Sequence, residues 1–114
     1  MSQTTPFLQN GNTVKITAAT TPPAAVKVPS TFVSVSAPYN QYRVVNPSTS
    51  TVFLGAASTA AQAEANAAVI STTGAAIPLV PGAVEIFSFP ADWFFTADIA
   101  SGTADIYITP GEGL

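Results

Sequence analysis

The chain has 114 residues, which is the length of one domain, and 47% of them are hydrophobic while only 8% are charged. Soluble domains usually have about 25% charged residues, and a disordered chain combines low hydrophobicity with high net charge, so this composition excludes disorder. Three basic residues and a net charge of −3 leave no basic patch, and we expect no nucleic-acid partner. The absence of cysteine excludes disulfides and thiolate metal sites.

A surface with few charges must draw its polarity from Ser, Thr, Asn and Gln, and such a surface is cheap to desolvate because no ion has to leave water. Charge depletion also marks the centres of protein interfaces. We therefore interpret the chain as one that ends up against other proteins; the alternative is a neutral but free surface. No apolar run approaches the roughly 20 residues of a membrane span. The first residues lack the pattern of a signal peptide. We expect no membrane contact. We also expect the protein to be made in the cytoplasm and not exported by a cleavable leader.

The predicted elements begin with an extended arm over residues 1–12, whose apolar tip is Phe7 and Leu8. We expect this arm to lie against a neighbouring subunit; the alternative is that it folds back along the edge of its own sheet. Alternating or β-rich runs then predict strands, with 51–55 as the hairpin partner of 41–46. The runs before residue 56 are 13–17, 26–28, 32–36, 41–46 and 51–55.

Residues 56–68 are rich in alanine and have strong helix propensity, but they have no large apolar side chain to anchor a helix. We predict a loop or one short helical turn there. Further strand-like runs follow, separated by proline and glycine turns. They are 69–71, 77–80, 84–89, 93–100 and 104–109.

These runs predict an all-β fold: a single antiparallel β-sandwich of about eight short strands, jelly-roll-like or immunoglobulin-like, over residues 13–114. Alternation places one set of apolar side chains in the core. The predicted core is Val14, Ile16, Phe32 or Val33, Val44, Val52, Leu54, Val84, Ile86, Ile99, Ile106 and Ile108.

The sequence offers little catalytic chemistry, because it has neither histidine nor cysteine. Lys15 and Lys27 occupy alternating strand positions that a solvated face explains. Asp98 and Asp105 flank a Ser-Gly turn and would face each other across a hairpin, but aspartates beside turns usually bond their own backbone. The acidic residues are too dispersed for a calcium site. We predict no enzyme activity, no metal, no cofactor and no small-molecule substrate.

The aromatic cluster Trp93-Phe94-Phe95 has two interpretations. Exposed Trp and Tyr side chains form sugar platforms in carbohydrate-binding modules, and the candidates here are Trp93, Tyr39, Tyr42 and Tyr107. The other interpretation is that alternate members fill the core while the rest face a neighbouring protein. We favour the second and predict that Phe7, Leu8, Trp93 and Phe94 are assembly contacts.

Several segments over residues 41–114 together resemble small virion proteins found in the structural gene clusters of tailed bacteriophages. They are Tyr42-Arg43-Val44-Val45-Asn46, Val52-Phe53-Leu54-Gly55, Ile77-Pro78-Leu79-Val80-Pro81-Gly82-Ala83-Val84-Glu85-Ile86-Phe87 and Ala104-Asp105-Ile106-Tyr107-Ile108-Thr109-Pro110-Gly111-Glu112-Gly113-Leu114.

The resemblance implies a β-sandwich that decorates or cements a capsid, located on the virion surface. Its expected partners are the lattice of the major capsid protein and copies of the chain itself, as a dimer or trimer. The alternative is a tail or baseplate component, or a receptor-binding or carbohydrate-binding module. The resemblance carries over no functional residue.

Overall fold

A computed structural model describes residues 7–30 and 39–112, and in these ranges the chain forms nine strands and one short helix. The predicted strand 32–36 lies outside the described residues. The elements are β1 (Leu8–Gln9), β2 (Val14–Ala19), β3 (Val26–Lys27), β4 (Tyr39–Val45), β5 (Val52–Ala57), α1 (Ala60–Asn66), β6 (Ile77–Leu79), β7 (Val84–Pro90), β8 (Phe94–Ile99) and β9 (Thr103–Glu112).

The strands form one sheet in the order β6-β5-β8-β2-β9-β4-β7, with β1 added to β9 and β3 added to β8. Pairing is antiparallel except between β2 and β8, which run parallel and meet at Ala19 and Asp98. The early strand β2 therefore lies between the last two strands of the described chain.

The sheet curls strongly, as its aromatic side chains show. The rings of Tyr42 on β4 and Phe95 on β8 have centroids 4.9 Å apart, although these strands are three places apart in the sheet. A flat sheet would hold them about 14 Å apart. The curl makes β4 and β7 face β8 across a buried interior, so the predicted all-β, sandwich-like fold is confirmed.

Most of the predicted core is buried in this interior, as strict alternation along a half-buried strand requires. Val14 is half-buried, and Phe32 and Val33 lie outside the described residues. Predicted core residues that are buried are Ile16, Val44, Val52, Leu54, Ile99, Ile106 and Ile108.

The sequence predicted the wrong buried face for β7, because it placed Val84 and Ile86 in the core. Val84 and Ile86 are 61% and 50% exposed, whereas Phe87 and Phe89 pack against the core. The run from 84 to 89 is apolar on both faces, and the two larger rings take the interior because they bury more surface. Since side chains alternate between faces, this choice moves Val84 and Ile86 outside.

The alanine-rich segment forms helix α1, which is longer than the single turn predicted. The Thr59 side chain caps it by accepting a hydrogen bond from the Gln62 backbone N–H at 3.2 Å. The helix packs on β5 through small residues: Ala63 and Ala67 are buried and lie directly over Gly55. Close backbone approach thus replaces the large apolar anchor that the sequence lacks.

Two predicted hairpins are absent from the described sheet. β5 pairs with β6 and β8 rather than with β4. Asp98 and Asp105 do not face each other, because β2 lies between β8 and β9. Both pairings were predicted because the segments are close in sequence. The β8–β9 hairpin does not form because β2, from a distant part of the sequence, lies between the two strands.

Tyr42 gives a pH-dependence prediction. Its side chain is fully buried, and burial, with a smaller contribution from the charge of Asp92, raises its pKa although a hydrogen bond with Asn40 opposes the shift. The Tyr42 hydroxyl holds its proton more tightly in the folded protein than in the unfolded chain. The protonated hydroxyl therefore contributes to folding stability below about pH 10, and that contribution is lost as the pH rises beyond this value. We expect urea denaturation between pH 8 and 11 to show falling stability, and Tyr42→Phe to reduce that fall. An equal fall in both proteins would contradict the prediction.

Candidate assembly surface

The described part of the N-terminal arm lies on the chain's own sheet. Leu8 and Gln9 pair with Glu112 and Gly111 of β9, and the ring of Phe7 lies so close to Gly111 that an added Cβ would come within 2.6 Å of its Cε2 atom. Residues 7–12 thus follow the fold-back alternative. Contact with a neighbouring subunit, and the domain boundary at residue 12, stay predictions.

A small polar cluster fixes the arm. The backbone N–H of Asn10 donates to the carbonyl of Pro110 at 3.0 Å, and its Oδ1 accepts from the Ser30 hydroxyl at 2.9 Å. The Asn40 amide donates in turn to the same hydroxyl. Asn10 and Asn40 are buried, so the network links the arm to the start of β4 beneath the surface.

The four predicted assembly residues have different environments. Leu8 is 62% exposed, while Phe7, Trp93 and Phe94 are half-buried. Trp93 stacks on Phe89 with 5.5 Å between ring centroids. The ammonium group of Lys27 lies over the Phe94 ring at 5.1 Å.

The topology brings these four residues to one end of the sheet. β2, β4 and β8 begin at that end, and β5, β7 and β9 finish there, as their pairing directions require. Phe7 and Leu8 lie beside the last residues of β9, and Trp93 and Phe94 stand at the start of β8. We call this the β8-start end. Side chains some 85 positions apart in sequence therefore share one end of the molecule.

A second apolar surface was missed by the sequence interpretation. It is the outer face of β7, where Val84 and Ile86 are exposed, continued by half-buried Val45 and exposed Tyr107 on the neighbouring strands. β7 is also an edge strand of the sheet. The two phenylalanines at 87 and 89 were the signal that this strand turns its other face inward.

The carboxylates of Asp98 on β8 and Asp105 on β9 make hydrogen bonds within the fold. Asp98 accepts hydrogen bonds from the backbone N–H groups of Val69 at 3.1 Å and Ile99 at 2.8 Å. Asp105 accepts from the Thr17 hydroxyl at 2.6 Å. Within residues 7–30 and 39–112, no three acidic side chains gather in a way that would hold a metal ion.

A groove of about 280 Å³ lies beside β2, and its polar lining side chains are Lys15 and Thr17. Among the residues that the structure describes, no helix has both the length and the apolar character needed to cross a bilayer.

Comparison of the chain with protein-family models, with curated proteins and with solved structures identifies no match.

Proposed function

We propose that the chain is a non-enzymatic structural protein of a tailed-bacteriophage virion that decorates or cements the capsid. The observation that carries the proposal is that exposed Leu8 and half-buried Phe7, Trp93 and Phe94 all lie toward the β8-start end of the sheet. Large apolar side chains contribute most of the binding energy at protein interfaces.

The low charge of the chain supports the same proposal. With nine ionisable acidic and basic side chains in 114 residues, the faces of the domain lose little solvation energy when they meet a lattice of capsid subunits. The resemblance of residues 41–114 to small virion proteins supplies the partner: the major capsid protein.

We expect the purified protein to co-sediment with capsids of its source particle, and Leu8→Asp to weaken that binding about tenfold or more, because a carboxylate replaces an apolar side chain of the interface. The matched control is Val80→Asp: Val80 is 58% exposed but precedes β7, at the opposite end of the sheet. Expanded and unexpanded capsids should be compared, with bound protein quantified on gels.

Two outcomes would contradict the proposal. Failure of the wild-type protein to pellet with either capsid form would remove the function itself. Equal binding by wild type and Leu8→Asp, together with loss of binding in Val80→Asp, would assign the contact to the opposite end. Leu8, Gln9 and Asn10 are part of the fold, so a point variant tests the contact without removing the strand and the hydrogen bonds that a deletion of the arm would remove.

The alternative is a tail or baseplate component, or a receptor-binding or carbohydrate-binding module. One face of the Trp93 indole is stacked on Phe89, which leaves less of the ring for a sugar. Quenching of Trp93 fluorescence by a saccharide, without capsid binding, would favour the carbohydrate-binding alternative.

A further inference from the structure

The backbone of β7 has an open side with hydrogen-bonding groups. The Asn46 N–H donates to the Ala83 carbonyl at 2.9 Å, and this bond sets the phase of the ladder between β4 and β7. Hydrogen-bonded pairs recur at every second residue of an antiparallel ladder, so Glu85, Phe87 and Phe89 direct their backbone groups toward β4.

It follows that Val84, Ile86 and Ser88 direct their N–H and C=O groups away from β4. No described residue pairs with that side of the strand. Pro90 also directs its backbone nitrogen away from β4. Its lack of an N–H therefore costs no hydrogen bond between β7 and β4. The outward groups have the spacing that an added β-strand requires.

The opposite edge of the sheet is closed to such pairing. β6 has three residues, and the middle one is Pro78, which has no N–H to donate. β7 has seven residues and a single charge, Glu85. Among the strands within residues 7–30 and 39–112, β7 therefore offers the one open edge that is long enough to pair with a second copy.

We propose that two copies of the chain form a two-fold dimer by antiparallel pairing of β7 with β7 of the second copy. Pairing β7 only with itself is isologous and closes at two copies, so it yields a dimer and not a trimer. This inference does not depend on the proposed function, since it concerns the protein in solution.

The register follows from the side chains. A two-fold axis at Ile86 pairs each Ile86 with its copy, and each Val84 with Ser88 of the other chain. All three residues with outward backbone groups are then used, and the exposed apolar side chains meet on one face. Shifting the axis to Glu85 would set two like charges directly opposite each other, and shifting it to Phe87 would bring Pro90 into the ladder without an N–H.

Cysteine cross-linking tests the dimer and its register together, because the wild-type chain has no cysteine. At the two-fold axis a hydrogen-bonded pair has Cα atoms about 5.5 Å apart, inside the disulfide range of about 4.4–6.8 Å. We expect Ile86→Cys to form a covalent dimer under mild oxidation. Val84→Cys is the matched control: its copy lies four residues along the strand, about 13 Å away, and it should stay monomeric on a non-reducing gel. The double variant Val84→Cys/Ser88→Cys should cross-link again.

Light scattering after gel filtration gives a second readout. At about 100 µM the wild-type protein should have twice the chain mass of 11.6 kDa. Ile86→Lys should be monomeric, because it places two ammonium groups at the axis. The control Val69→Lys, at a site that is 42% exposed and outside the strands, should remain dimeric. Circular dichroism would verify that each variant is folded. A monomeric wild type, or cross-linking of Val84→Cys as fast as that of Ile86→Cys, would overturn the proposal.

Discussion

Replacing Asn46 with alanine is expected to lower the free energy of unfolding by about 3 kcal/mol, since several net hydrogen bonds of about 1 kcal/mol each are lost at a buried site. Its side chain is fully buried, and its amide nitrogen donates to the carbonyls of Ser50 and Leu79, both at 2.9 Å, and of Val80 at 3.2 Å. Its Oδ1 accepts from the Ser48 hydroxyl at 2.7 Å. One side chain thus joins the end of β4, the following loop and the end of β6.

The isosteric variant Asn46→Asp separates hydrogen bonding from packing. It keeps the shape but replaces the donor with a carboxylate oxygen that faces backbone carbonyls, so at neutral pH we expect it to be at least as unstable as Asn46→Ala. Asn66→Ala is the control: the half-buried Asn66 side chain donates one bond to the Ala56 carbonyl and accepts one exposed bond from Gln62. Its removal should cost about 1 kcal/mol, because exposed hydrogen bonds are replaced by bonds to water. Urea denaturation followed by Trp93 fluorescence measures all three. Equal losses in Asn46→Ala and Asn66→Ala would contradict this account of Asn46.

Gly55→Ala is expected to destabilise the protein by about 3 kcal/mol or to displace helix α1 from the sheet. A Cβ atom at Gly55 would overlap the carbonyl oxygen of Ala63 and would come within 2.6 Å of the backbone nitrogen of Ala67. Both obstacles are backbone atoms, so the whole helix has to move. Hydrogen exchange at the α1 amides distinguishes local displacement from global loss of stability.

Gly74→Ala is the matched control for this variant. Gly74 is exposed, and the nearest atom to an added Cβ is the Ile70 side-chain atom Cγ1 at 3.1 Å, which can move aside. We expect a change of about 0.5 kcal/mol or less. If Gly55→Ala had the stability of the wild type and the same hydrogen exchange at the α1 amides, α1 would have to lie farther from β5 than close backbone packing over Gly55 requires.

The parts of the fold that the sequence predicted are those where one face is apolar and the other polar. Thr13 to Thr17 and Ala104 to Thr109 alternate cleanly, and Ile16 and Ile106 are both buried and paired. In β7 the alternation does not show which face is buried, because both faces carry large apolar side chains. The larger rings of Phe87 and Phe89 take the buried face.

Long-range partners explain most of the remaining differences. Asn46 was predicted only as the end of a strand, since the carbonyls of Leu79 and Val80 that it binds belong to a distant segment. The prediction for Phe7 did not include Gly111, where the absence of a side chain makes room for its ring. The sequence therefore predicted the candidate site only as individual apolar residues, and their position toward one end of the sheet follows from the topology.

The position of β2 between β8 and β9 has a consequence for how the chain reaches its native state. β2 is synthesised early, yet Ile16 pairs with Ile106 and Ala19 pairs with Asp98, so both of its neighbours appear only after most of the chain has been made. The interior cannot close around β2 until then. Strands that are distant in sequence lose chain entropy when they come together, before their contacts can stabilise the pair. Proteins dominated by such pairings fold in milliseconds to seconds rather than microseconds.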